Sequence, residues 1–138
     1  MIRPLLALVL GLGLFAMGAC ENADAPLEPA WGKTACGSCS MLVSDKRFAA
    51  ELVTSRGDHL FFDDPGCLAS YLAAHSERAR HAWVRTGTGS WIDAQSARFK
   101  AGAKTPMDYG FEVASDGSDD WSNVETAART RLASKGEP

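Results

Sequence analysis

The feature that most constrains this chain is an apolar run at residues 5–18 that closes on Met17-Gly18-Ala19-Cys20. It sets how much of the sequence is left to build a fold. The run is too short for a stable membrane span, which takes about 20 apolar residues. With Arg3 ahead of it, it has the charge and length of a signal-peptide core. Small residues before a cysteine, directly after such a run, have the form of a lipobox. The expectation is cleavage before Cys20 and attachment of lipid to its sulfur. The alternative is an ordinary secretory signal in which Cys20 is incidental.

Division of the chain follows from this. Residues 1–19 are the signal, and residues 20–34 read as a lipid-anchored flexible tether. The acids, prolines and small residues after Cys20 cannot build a core. Residues 35–134 form one small domain, and residues 135–138 a frayed tail. Losing residues 1–19 removes Arg3 and no acid, so the formal charge goes from -3 to -4. A phosphate-binding surface needs excess Lys and Arg, so nucleic acid is excluded as a partner.

Within the domain, residues 41–43 and 48–53 are apolar runs with β-branched residues, separated by a turn at residues 44–47. A second turn at residues 55–58 leads into His59-Leu60-Phe61-Phe62, completing a strand meander. Asp63-Asp64-Pro65 then opens a helix, with an Asp as cap and Pro in the first turn. Leu68, Tyr71, Leu72 and His75 follow at helical spacing. Residues 81–85 and 91–93 read as strands around a Gly-rich loop. Residues 102–110 are a loop, and residues 111–113 a short strand. A last helix is signalled by the capping box at Ser122-Asn123-Val124-Glu125, with Trp121, Val124, Ala128 and Leu132 facing the core. The layout is α+β, with helices on one face of a mixed sheet.

Four cysteines are present, and lipidation of Cys20 leaves Cys36, Cys39 and Cys67. An exported compartment favours disulfides, but three is odd, so at least one thiol has another role. Cys36-Gly37-Ser38-Cys39-Ser40-Met41 gathers two thiols and a thioether, and Met107 adds a thioether in the Thr105-Pro106-Met107 loop. Soft sulfur ligands select Cu(I) over hard cations. Zinc would ask for four Cys or His ligands, and no second Cys-x-x-Cys or paired histidine completes such a site. If residues 39–43 are extended, Cys39 and Met41 project to one face and can meet one ion. Cys39, Met41 and Met107 are therefore the expected ligands, with Cys36 and Cys67 as further candidates.

Each has a plainer alternative. Cys36 and Cys39 could form a disulfide. Met41 and Met107 could be packing residues, as most methionines are. Cys67, in the first helical turn where the dipole lowers a thiol pKa, reads more often as a small buried hydrophobe. His59, His75 and His81 do not cluster and read as satisfied side chains.

The order of motifs resembles the NosL family, lipoprotein accessory factors of nitrous-oxide reductase. The resemblance rests on the lipobox cysteine, Cys39-Ser40-Met41-Leu42-Val43, Phe61-Phe62-Asp63-Asp64-Pro65-Gly66-Cys67, Trp83-Val84, Trp91-Ile92-Asp93-Ala94 and Thr105-Pro106-Met107-Asp108-Tyr109-Gly110-Phe111. It spans nearly all of the mature domain. Ser40 and Asp108 stand where glycine is common in the family. The resemblance implies two small ββαβ-like units with short mixed sheets. It also implies a periplasm-facing Cu(I)-binding metallochaperone rather than an enzyme. Its implied partners are nitrous-oxide reductase and its maturation ABC transporter, with Cys20 holding the chain to the inner or outer membrane. The competing function is an exported thiol-disulfide oxidoreductase using Cys36 and Cys39. Its attacking thiol would sit at a helix N-terminus, whereas the residues after Cys39 read as a strand.

Overall fold

A computed structural model describes residues 24–136. The expected signal segment and the lipidation at Cys20 lie outside these residues, as do the last two residues of the expected tail. Among the described residues no helix is long and apolar enough to cross a membrane.

The first sheet has four strands, β1 (Ala50–Thr54), β2 (His59–Phe62), β3 (Ala79–Arg85) and β4 (Trp91–Asp93), in the order β2-β1-β3-β4. Directly paired residues share a face, and successive residues alternate between faces. The register pairs Leu52 with Leu60 and Ala82, and Ala50 with Phe62 and Val84. That face meets the helix α1 (Pro65–Ala74) and carries the core residues Leu52, Phe62 and Val84, all fully buried. The opposite face carries Glu51, Phe61 and Trp83 in register.

A second, two-stranded sheet pairs β5 (Phe99–Ala101) with β6 (Phe111–Val113), and α2 (Trp121–Ser134) follows it. Phe99, Phe111 and Trp121 pack as an aromatic group with Val124 and Ala128. The α1 and α2 helices pack on each other and join the two units into one core.

The α+β class is as expected, but every strand pairing is antiparallel where a mixed sheet was anticipated. The reason lies in the crossover. The α1 connection carries β3 past β2 to the far side of β1, so β2 and β3, which it joins and which run parallel, are never neighbours. The first unit is ββαββ and the second is ββα, rather than two ββαβ units.

Local signals at the helices hold. Asp64 caps α1, its side chain accepting the Gly66 N–H at 2.9 Å, with Pro65 in the first turn. The α2 capping box falls two residues earlier than expected. Asp120 is the cap and Asn123 closes the box, because the Asp carboxylate takes the Ser122 N–H first.

The segment read as a free tether is bound from Asp24 onward. Asp24 pairs with Arg80, and the Leu27 N–H donates to the buried Glu51 carboxylate at 2.9 Å. Glu28 accepts from Arg85 and from the Trp91 indole. Residues 24–31 thus cover the second face of the sheet. Glu51 is 0 % exposed and would otherwise face solvent on that side. Burial pushes its carboxyl above the ordinary range, against the lowering effect of its bond to His59.

Candidate metal centre

The residues before β1 make a tight knuckle rather than a strand. Ala35 and Leu42 form a single antiparallel bridge, and the Cys36 N–H donates to the Met41 carbonyl at 2.7 Å. The Ser40 N–H donates back to the Cys36 carbonyl at 3.0 Å. Closing so short a loop needs a left-handed residue, and Ser40 takes it with φ of 63°. This breaks the extended path expected over residues 39–43. Cys39 and Met41 do not share a strand face, and Met41 is 59 % exposed. The strain is that of a side chain in left-handed backbone, about 1–2 kcal/mol, partly offset in a glycine variant by a freer unfolded chain. Ser40→Gly is expected to raise stability by about 0.5–1 kcal/mol, read as a shift in urea midpoint. Asp108, with φ of 55°, tolerates that region better through its short polar side chain and should gain less on replacement by glycine.

The knuckle is moored to β2 through the Gly37 N–H, which donates to the Phe61 carbonyl at 2.8 Å. Two residues past β2 the chain enters α1, and Cys67 lies in the first turn of that helix. The mooring and the helix start bring Cys36, Cys39 and Cys67 together. Their three sulfurs all lie within 4.8 Å of one another. All three are free thiols. A triangle with edges of that length has its centre about 2.8 Å from each corner, against about 2.3 Å for a metal–thiolate bond. Half an ångström of closure would be enough for one ion, so this cluster could hold a metal.

The three thiols are not equivalent. The Cys67 S–H donates to the Cys36 sulfur, and backbone N–H groups of the knuckle and of Asp63 add to it, so Cys36 is lowered to about 5 despite its burial. Cys67 is pushed far up because its proton is held in that bond and burial disfavours a second thiolate. Burial likewise pushes Cys39 up. Cys36 is therefore the first of the three to ionise, and an incoming metal displaces the protons that the others hold.

Met107 reaches the same place from the other unit. Its N–H donates to Asp64 Oδ2 at 3.1 Å, and its carbonyl accepts from Arg131 at 2.5 Å. The cap of α1 and the last turns of α2 thereby clamp both backbone groups of one residue. Arg131 also donates to the Asp108 carbonyl at 2.8 Å and lies 3.8 Å over the Tyr109 ring, whose hydroxyl bonds Ser70 at 2.6 Å. Between these elements lies a cavity of about 460 Å³. It runs along the α1 face that presents Cys67, Ser70, Tyr71 and Ala74, spaced at helical intervals, to the C-cap His75, and Cys39 and Met107 complete its sulfur wall.

Of the expected ligands, Cys39 and Met107 line this cavity, while Met41 is not among its lining residues and stands on the outer side of the knuckle. Cys36 and Cys67, the further candidates, supply two of the three clustered sulfurs. The histidines are partnered as expected. His59 meets Glu51, His75 bonds the Tyr71 carbonyl, and His81 lies 3.7 Å from Asp24. Arg131 carried no signal in the sequence and Tyr109 entered only as part of the loop motif, since the role of both depends on how α2 packs. Comparison with protein-family models, curated proteins and solved structures returns no match for this chain.

Proposed function

We propose that this chain is a membrane-anchored, periplasm-facing Cu(I) metallochaperone of the NosL type, and that its cargo serves the maturation of nitrous-oxide reductase. The observation that carries the reading is the approach of three thiol sulfurs to within 4.8 Å beside a cavity that also holds Met107. All the donors are sulfur, the set that suits a soft, low-coordinate ion. A second observation supports the family resemblance. The two positions where that family commonly has glycine, Ser40 and Asp108, are the two described non-glycine residues with left-handed backbone. Release to an acceptor suits a site in which Cys39 is half-exposed and Met41 waits outside as the next soft donor. The reductase and its ABC transporter are the proposed partners, and Cys20 the proposed anchor.

The oxidoreductase reading is the weaker one. An attacking thiol must be both ionised and accessible. Here the lowered thiol, Cys36, is 3 % exposed, and the more accessible Cys39 has its pKa raised.

Anaerobic titration of the reduced protein with Cu(I) against a competing chelator tests the proposal. One tightly held Cu(I) per chain is expected, and retention no better than that of a Cys39→Ser variant would reject it. Met107→Leu conserves volume and apolarity, so the melting temperature without metal should match wild type. Its Cu(I) affinity should fall about tenfold, and the copper-induced rise in melting temperature should shrink accordingly. Equal affinity would remove Met107 from the ligand set.

A further inference from the structure

The cavity beside the cysteines has a second chemical character. Cys67 and His75 lie eight residues apart along its α1 wall, so it extends about 12 Å from the sulfur cluster. Arg131 and Lys135 enter it from α2, and no Asp or Glu lines it. Neither cation has a carboxylate partner among the described residues. Arg131 spends two N–H groups on carbonyls, and Lys135 is exposed at the α2 C-cap. A cavity walled by soft sulfur and unneutralised cations, at about 460 Å³, is the size of a small-molecule site. A metal ion alone fills little of it.

We propose that this cavity binds a small anionic thiol, a mercaptocarboxylate, with its sulfur at Cys39 and Met107 and its carboxylates at Arg131 and Lys135. This thiol is the carrier from which the metal is loaded. The carrier role rests on the metallochaperone reading, whereas the anion selectivity of the cavity does not. Loading is ligand exchange without redox change. Each new bond from a cysteine sulfur to the metal replaces one bond to the carrier's sulfur; a cysteine that enters as a thiol passes its proton to the departing sulfur, and one that enters as a thiolate releases that sulfur as a thiolate. A soft ion passed this way always keeps sulfur ligands. The cations act by holding the carrier's carboxylates while the exchange proceeds.

Two measurements separate the parts. In metal-free protein, alkylation of Cys39 is followed by peptide mapping with anionic iodoacetate and neutral iodoacetamide. Their rate ratio cancels the ionisation of the thiol itself. At low salt the ratio should exceed that of an unstructured cysteine peptide by about fivefold, and added salt should erase the difference. Lys135→Gln should lower the ratio and Lys135→Glu should bring it to the peptide value or below. Both changes lie at an exposed position outside the core. A wild-type ratio equal to the peptide's, or one unmoved by these substitutions, overturns the anion site. In the second measurement, Cu(I) is offered as its mercaptosuccinate or its mercaptoethanol complex. Faster transfer from mercaptosuccinate, lost in Lys135→Glu, is expected. Equal transfer from both by a protein that binds Cu(I) overturns the carrier role and leaves the chaperone reading standing. Failure to take Cu(I) from either, with the alkylation preference intact, rejects the chaperone reading and the loading step together while leaving the anion site.

Discussion

Cys67→Ser is expected to weaken metal binding by about 100-fold or more, because it removes one of three clustered sulfurs and leaves an oxygen poorly matched to a soft ion. The metal-free protein should change far less, since the serine hydroxyl can still donate to the Cys36 sulfur. Cys67→Ala removes that donor. Cys36, lowered to about 5 chiefly by the Cys67 S–H, should then titrate nearer its ordinary value of 9.0. Thiolate ultraviolet absorbance across pH reads this directly. A Cys36 titration unchanged in Cys67→Ala would break the proposed hydrogen bond, and undiminished metal affinity in Cys67→Ser would exclude Cys67 as a ligand.

The same shifts set the sign of a pH effect on stability. Cys36 is depressed in the folded state, so its contribution is present in full above the unfolded value of 9.0 and is lost as pH falls through about 5. Cys39 and Cys67 are raised, so theirs is present below 9.0 and is lost as pH rises toward their folded values. The stability difference between wild type and Cys36→Ser should accordingly grow from pH 5 to about pH 9.

Gly66→Ala is the second large effect. A Cβ at this position in the first turn of α1 would lie 1.9 Å from the Tyr109 ring. The ring cannot retreat freely, because its hydroxyl bonds Ser70 and Arg131 stacks on its outer face. Overpacking of this kind costs about 1–3 kcal/mol, with the upper end expected for so close a contact. Tyr109 also anchors the loop that carries Met107, so metal affinity should fall with stability. A chemical-denaturation midpoint within error of wild type would show that the ring has another place to go. Alanine at Gly32, where the chain is open to solvent, is the contrast. Its φ of 68° makes it strained, yet it should leave metal affinity untouched.

The parts of the fold legible in the sequence are those governed by neighbours in the chain. Asp63-Asp64-Pro65 marked the start of α1 because capping involves atoms two residues apart. Apolar runs, with β-branched residues in the first, marked β1 and β2, and the polar turns at residues 44–47 and 55–58 marked where β1 begins and ends. The short strand at Phe99–Ala101 was missed, since it lacks the β-branched residue that marks the equally short strands at 91–93 and 111–113. Residues 41–43 were read as a strand because their composition fits one. A left-handed Ser40 and the knuckle's own hydrogen bonds override that preference.

The candidate site divides along the same line. From the sequence alone come the inventory of soft donors at Cys36, Cys39, Met41, Cys67 and Met107, and the stiff loop that carries the last. Which of them meet is decided by tertiary structure. Cys67 joins the other cysteines because the Gly37 N–H ties the knuckle to β2, next to the point where α1 begins. Met107 arrives only because Asp64 and Arg131 clamp its backbone from two helices. Met41, one residue beyond the left-handed turn, is directed to solvent instead. Caps, turns and alternation act between residues a few positions apart, so a linear sequence records them. Sheet order and helix packing join residues tens of positions apart through many weak contacts, and no single residue type signals the outcome.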